Sequence, residues 1–313
     1  MLKAVSFGWR IPDFPVDGTH GGYFRDQIIR VMDDVHELFD SAWEADHFVP
    51  WAGFIPPDTD TLEAWTTITF LAGRYPDLKF GNIVLCQSYR SPAMLAKMAS
   101  TFQILSEGRL VLGIGAGWKK DEYLAYGYPF PSTSARLEQL EETIQIIKKM
   151  WVEPKASFEG KHYKIQDAIC EPKPTPLPPL MVGGGGKKVT LRIAAQHADW
   201  WNIPGGTPSN YADLLSVLRN HCIEVGRDYD QIVKTWLSDC VAIAPTHQAA
   251  LELAESSPFY DPATSVVGTP DEVVERLRRF TNLGVQHLIL RFVDFPKSNG
   301  AKLFADEVIP HFR

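Results

Sequence analysis

The chain has 313 residues, 45% of them apolar, and a formal net charge of −7. That length suits two ordinary domains or one α/β barrel with insertions, the apolar share supports a large core, and the acidic balance argues against a nucleic-acid-binding surface. No stretch approaches the roughly 18 uninterrupted apolar residues of a membrane span. The N-terminus lacks a signal-peptide pattern. Cys86, Cys170, Cys222 and Cys240 are too scattered for a disulfide framework or a zinc cluster. The expectation is a cytoplasmic enzyme without a transition metal, acting on a small-molecule substrate, with no nucleic acid and no membrane as partner.

In chain order, short apolar runs predict strands at Lys3–Phe7, Ser41–Trp43, Phe80–Cys86, Leu110–Ile114, Leu180–Val182, Ala198–Ile203, Thr235–Ile243 and Val285–Phe292. Helical patterns lie between them. The clearest spans Ala135–Trp151, where Leu137, Leu140, Ile144, Ile147 and Trp151 recur on one face. Another starts at Thr269-Pro270-Asp271-Glu272, where Thr269 caps, Pro270 fits the first turn and Glu272 completes a capping box. Val273, Leu277 and Phe280 form its apolar stripe. Strands alternating with helices imply parallel pairing, and eight such units imply closure. The predicted fold is α/β: a (β/α)8 TIM barrel with insertions, one domain over residues 1–313. The Pro-rich Glu171–Pro179 is then a stiff lead into the fifth strand, not a domain boundary.

Barrel chemistry sits where strands end. The first strand is followed by Gly8-Trp9-Arg10 and the second by Glu44-Ala45-Asp46-His47-Phe48-Val49-Pro50-Trp51. The fourth runs into Gly115-Ala116-Gly117-Trp118, the fifth into Gly183-Gly184-Gly185-Gly186, and the sixth into Asn202-Ile203-Pro204-Gly205-Gly206. Four glycines before a helical pattern leave backbone N–H groups open to a phosphate. Asn202, Gly205 and Gly206 are candidate supports for it. Trp9, Trp51, Trp118 and Trp201 suggest aromatic walls, and Ser256–Gly268 is long enough to cover a site.

Several segments together resemble the bacterial-luciferase-like flavin enzymes, a barrel family using FMN or the deazaflavin coenzyme F420. These are Asp46-His47-Phe48, Tyr89-Arg90-Ser91-Pro92-Ala93-Met94-Leu95-Ala96-Lys97, Gly108-Arg109-Leu110-Val111-Leu112-Gly113-Ile114-Gly115-Ala116-Gly117-Trp118 and the glycine run with Ala198-Asp199. The stretch Asp46–Trp51 is similar to the active site of F420-dependent glucose-6-phosphate dehydrogenases. By that resemblance His47 and Trp51 are the catalytic candidates, flanking the reactive face of the ring, and Asp46 faces the ring or its side chain. An imidazole can move protons near neutral pH, and an indole can stack on a ring or substrate.

The resemblance also implies a non-proline cis peptide near Ile83-Val84 or Val84-Leu85, against the back of the ring. Gly115 and Trp118 join the ring-binding set, with Asn82, Cys86 and Gln87 as further ring contacts. Those dehydrogenases carry a catalytic Glu where this chain has Trp118, so the phosphosugar substrate is not carried over. What remains implied is hydride transfer between F420 and a small organic substrate. The alternatives are an FMN-dependent monooxygenase using molecular oxygen and a non-catalytic flavin-binding protein. The family's habit of pairing through outer helices makes a homodimer possible.

Overall fold

In a computed structural model that describes residues 4–313, the alternation of strands and helices resolves into a closed parallel barrel. Its strands in chain order are β1 (Ser6–Arg10), β2 (Ser41–Glu44), β3 (Lys79–Asn82), β4 (Leu85–Cys86), β5 (Leu110–Gly115), β6 (Ala156–Glu159), β7 (Lys164–Ala168), β8 (Leu180–Gly183), β9 (Trp200–Pro204), β10 (Val233–Ile243), β11 (Val266–Gly268) and β12 (His287–Phe292). Around the barrel the order is β1-β2-β3-β5-β8-β9-β10-β12, and β12 returns to β1. All of these pairs are parallel. Each predicted strand has its counterpart in the barrel, and no helix among the described residues is long and apolar enough to cross a membrane.

Three details differ from the sequence reading. The first strand is displaced toward Arg10, because Gly8–Arg10 pair with Ser41–Trp43 and buried carboxylates receive the guanidinium inside the mouth. Lys3, at the start of the predicted strand, lies outside the described residues. The third strand is interrupted at Ile83-Val84, with β4 resuming against β5. The antiparallel β6–β7 hairpin was not anticipated, since most of its side chains are exposed and give no apolar alternation. The Glu142 carboxylate fixes that hairpin by accepting from the N–H groups of Lys161, His162 and Tyr163.

The helices follow their sequence signals closely. The amphipathic segment forms Thr133–Val152, capped by the Ser132 hydroxyl. Pro270–Thr281 begins with both halves of the capping box in place and buries Val273, Leu277 and Phe280. Such a cap satisfies N–H groups that the first turn leaves without partners.

The barrel strands pack apolar side chains on both of their faces. Phe7, Trp9, Leu112, Val182 and Leu288 point outward into the core shared with the helices. Trp43, Val111, Met181, Leu237 and Ile289 fill the barrel interior. The Trp43 indole is accommodated because both neighbouring strands carry glycine beside it. A Cβ on Gly8 would lie 2.5 Å from its Nε1, and one on Gly81 would lie 2.3 Å from its Cζ3.

Opposite signs are therefore expected for one chemical change at two glycines. Gly81→Ala forces the indole to move and should cost about 1–3 kcal/mol through overpacking. Gly73→Ala, in the helix Ala64–Arg74 with nothing within 4 Å of the new methyl, should stabilise by about 0.4–1 kcal/mol by restricting the unfolded chain. Denaturant midpoints of the two variants test both; a neutral Gly81→Ala would show that Trp43 has room to spare.

Candidate active site

The C-terminal strand ends surround a cavity of about 580 Å³. Asp46, His47, Trp51, Ile83, Val84, Gly115, Trp118, Gly183, Gly184, Gly186 and Asn202 all line it. The peptide between Ile83 and Val84 is cis, at one of the two positions the resemblance implies. Gly115 and Gly183 flank this segment, and a Cβ on either would lie 2.8 Å from a Val84 methyl. Their missing side chains let Val84 wedge between β5 and β8.

The glycine run is less uniform than its sequence. The Gly184 N–H donates to the Asn202 carbonyl at 2.9 Å, and the Gly184 carbonyl accepts from Trp201 Nε1 at 3.0 Å. Gly184, at φ +123°, turns the chain in a way L side chains rarely tolerate. The N–H groups of Gly185 and Gly186 carry no hydrogen bond among the described residues. Beside Gly186 stands the Thr190 hydroxyl, 2.6 Å from where a Cβ would be. This glycine-only cradle fits an anion.

Gly185, Gly205 and Gly206 do not reach the main cavity. They line a neighbouring cleft of about 300 Å³ with Lys187 and Asp213. The Gly205 N–H and carbonyl are taken by the Leu237 carbonyl and Trp236 Nε1, and the left-handed Gly205 and Gly206 lead the chain away into the helix Pro208–Glu224. Asn202 supports the glycine run through its backbone, while its side-chain amide donates to Thr235 Oγ1 at 2.7 Å.

Of the tryptophans named from the sequence, Trp51 and Trp118 border the cavity, whereas Trp9 and Trp201 are buried in the outer core. Trp51 is held by a hydrogen bond from its Nε1 to Asp13 Oδ2 at 2.6 Å and by Phe259 with ring centroids 5.4 Å apart. Phe259 thus fastens Ser256–Gly268 to the rim, and its last residues form β11 against β10. Of the three further ring candidates, Cys86 reaches the cavity, while Asn82 and Gln87 are fully buried outside its lining.

A residue the sequence reading missed organises the front wall. Glu122, on the short helix Lys120–Ala125, is buried and accepts from His47 Nδ1 at 3.0 Å, Tyr89 Oη at 2.9 Å, and the N–H groups of Phe48 at 2.5 Å and Val49 at 3.2 Å. Burial would raise this carboxyl. The His47 hydrogen bond and charge, with the Phe48 N–H and Tyr89, outweigh it and hold the group below its ordinary value. An ionised carboxylate accepts only, so Nδ1 carries the proton and Nε2 is left toward the cavity. The only sequence signal was an acidic pair in the first turn of a helix after Gly115–Trp118.

Asp46 is also committed. Arg90 grips both its oxygens at 2.8 and 3.0 Å, and the Cys86 N–H donates at 2.8 Å. Arg90 bonds Glu63 as well, whose carboxylate caps the helix Ala64–Arg74. Asp46 therefore reaches the cavity as part of a strap joining the ends of β2 and β4.

The rear of the mouth holds a second group of charges. Arg10 Nη2 lies 2.8 Å from Asp13, its Nη1 3.7 Å from Glu44 and its Nε 3.9 Å from Asp239, while Arg291 Nη1 is 3.8 Å from Asp13. Both Glu44 oxygens are buried without a hydrogen bond. Burial, reinforced by the Asp13 carboxylate, pushes the Glu44 carboxyl well above its ordinary value despite the two arginines.

A family described as luciferase-like monooxygenase matches residues 36–264. An F420-dependent glucose-6-phosphate dehydrogenase of Microbacterium testaceum (strain StLB037) is 28% identical, over 88% of this chain and 89% of that protein. An FMNH(2)-dependent dimethylsulfone monooxygenase of Pseudomonas putida is 25% identical over 71% of each. Among solved structures, an F420-dependent secondary alcohol dehydrogenase in complex with an F420-acetone adduct superposes with a TM-score of 0.82 at 20% identity, covering 99% of both chains.

The Glu122 contacts carry a pH signature. A carboxyl whose native value is depressed contributes stability that is full above its unfolded value, near 4.5, and vanishes as pH falls through the native value. Glu122→Gln is expected to cost about 2 kcal/mol or more at neutral pH, the scale of hydrogen bonds to a charged group. The difference from wild type should shrink below pH about 4. Urea unfolding across that range checks it, and a pH-independent difference would mean that packing, not charge, sets the effect.

Proposed function

The chain belongs to the luciferase-like monooxygenase family, and we propose that it is an oxidoreductase of that family which binds coenzyme F420 and exchanges a hydride with a small organic substrate at the barrel mouth. The observation that carries this reading is the His47–Glu122 pair at the cavity wall. Similarity to F420-dependent dehydrogenases over 88% of the chain supports the choice of cofactor.

The residues present fit such a group. The free Gly186 amide and the Thr190 hydroxyl, both on the cavity wall, would receive the phosphate. The Ile83-Val84 segment, Gly115 and Gly183 would back the ring system, with Asp46 at its border. F420, when bound, supplies two-electron hydride chemistry at its C5 carbon. His47 contributes a positioned proton site: Glu122 fixes the ring through Nδ1, and Nε2 takes or returns the proton that accompanies oxidation or reduction of the substrate. Trp51, pinned by Asp13 and Phe259, and Trp118, edge-on to His47 at 5.7 Å, exclude water and orient an apolar body.

FMN is the second reading, supported by the family's description and by the similarity to a flavin monooxygenase. Parallel titrations of the cofactor-free protein with oxidised F420 and with FMN distinguish the two. Micromolar or tighter F420 saturation with weak FMN binding is expected. Tight FMN binding with F420 ignored would replace hydride exchange by oxygen-dependent monooxygenation. In the F420-loaded enzyme, His47→Ala should lower kcat by about 10²–10⁴-fold while F420 affinity changes little.

A further inference from the structure

Along β10, Thr235, Leu237 and Asp239 follow the two-residue period of a strand, and Leu237 and Asp239 line the cavity. The strand then bulges. Ser238 pairs with Leu290 but Val241 with Phe292, so β10 spends one residue more than β12 over this span. The Ser238 hydroxyl braces the bulge, donating to the Cys240 carbonyl at 3.1 Å and accepting from its N–H at 3.4 Å. Beyond it Val241 and Ile243, which an unbroken period would turn inward, join the outer core. Asp239 is thus the last β10 residue in the cavity lining, set at the mouth by a bulge of the kind that aims side chains beside active sites.

Its carboxylate is uncommitted. Among the described residues Asp239 makes no side-chain hydrogen bond, and its Oδ1 is buried and unsatisfied while 28% of the side chain stays open. The nearest cation is Arg10 Nε at 3.9 Å, and the other Arg10 nitrogens are engaged by Asp13 and the Ile11 carbonyl. Burial raises the Asp239 carboxyl, against the pull of Arg10 and Arg291. Arg10 and Arg291 face the carboxyl groups of Asp13, Glu44 and Asp239, so the guanidinium groups of this wall already have partners of their own and are not set aside for an anionic substrate.

We propose that Asp239 anchors the substrate, its free carboxylate oxygen accepting a hydrogen bond from a hydroxyl or ammonium group on a molecule whose apolar body lies against Trp51 and Trp118. Phosphorylated or carboxylated substrates are disfavoured, because they bring a second anion to a poorly solvated carboxylate. The inference rests on reading the cavity as the chamber shared by F420 and substrate.

The test uses three probes of one ring size: cyclohexanol, cyclohexylamine and cyclohexanecarboxylate. F420 titration of the wild-type protein comes first and tests the cofactor reading alone. The probes are then titrated into the F420-loaded protein by cofactor fluorescence, and into the cofactor-free protein by thermal shift, so the Asp239 result stands whether or not F420 binds. Cyclohexanol and cyclohexylamine are expected to bind at least about tenfold tighter than the carboxylate. Asp239→Asn should reduce the amine-over-carboxylate preference about tenfold and retain the alcohol, because the amide oxygen still accepts. Binding of none of the probes, tightest binding of the carboxylate, a preference unchanged in Asp239→Asn, or loss of F420 affinity in that variant would each overturn the assignment.

Discussion

One buried carboxylate, Glu122, ties the front of this site together. It joins a short helix after β5 to the segment after β2, and its four donors come from His47, Phe48, Val49 and Tyr89. Removing one partner of such an arrangement leaves the others unsatisfied, so the cost exceeds that of a single bond. The consequence extends to the cavity wall. With Nδ1 spent on Glu122, the imidazole has one nitrogen to offer, and the surrounding segment directs it to the cavity. The Asp46–Arg90–Glu63 strap performs the matching task beside it, fixing the β2 end against β4 and a helix N-terminus.

Glycine shapes the barrel through absence of volume as much as through backbone freedom. Gly8 and Gly81 leave room for Trp43 inside the barrel, and Gly115 and Gly183 leave room for Val84 at its mouth. In each case a bulky side chain occupies space that two neighbouring strands cede. Interiors are packed closely enough that a misplaced methyl is felt. Val84 and its flanking glycines therefore set the shape of the cavity's back wall.

The mouth divides into unlike halves. On the β2–β5 side every carboxylate is saturated: Asp46 by Arg90 and the Cys86 N–H, Glu122 by four donors. On the β1–β10 side the charged groups face one another but are under-bonded, with both Glu44 oxygens and Asp239 Oδ1 lacking hydrogen bonds. Saturated groups hold geometry, whereas buried groups with bonding capacity to spare mark a place where a ligand can complete the set. The aromatic rim of Trp51, Phe14 and Phe259 lies over this second half, with Arg291 stacked 4.0 Å from the Phe259 centroid.

By itself the sequence determined the elements with local causes. Short apolar runs placed eight barrel strands, a helical period placed the helix through Ala135–Trp151, the Thr269–Glu272 capping box marked a helix start, and runs such as Asp46–Trp51 and Gly183–Gly186 directed attention to the strand ends. The tertiary structure decided which of those residues share one space. Gly185, Gly205 and Gly206 stand beside cavity-lining residues in sequence, yet they line a neighbouring cleft, and the left-handed turn at Gly205–Gly206 leads the chain away from the cavity. Trp9 and Trp201 looked like wall residues until strand register turned them outward. Glu122 and Asp239 were illegible for the converse reason. Glu122 stands 75 residues from the histidine it orients, and Asp239 owes its place to a bulge defined only by pairing with another strand. Periodicity is a property of neighbours in the chain, whereas hydrogen-bond partners and cavity walls are set by strand register across the closed barrel.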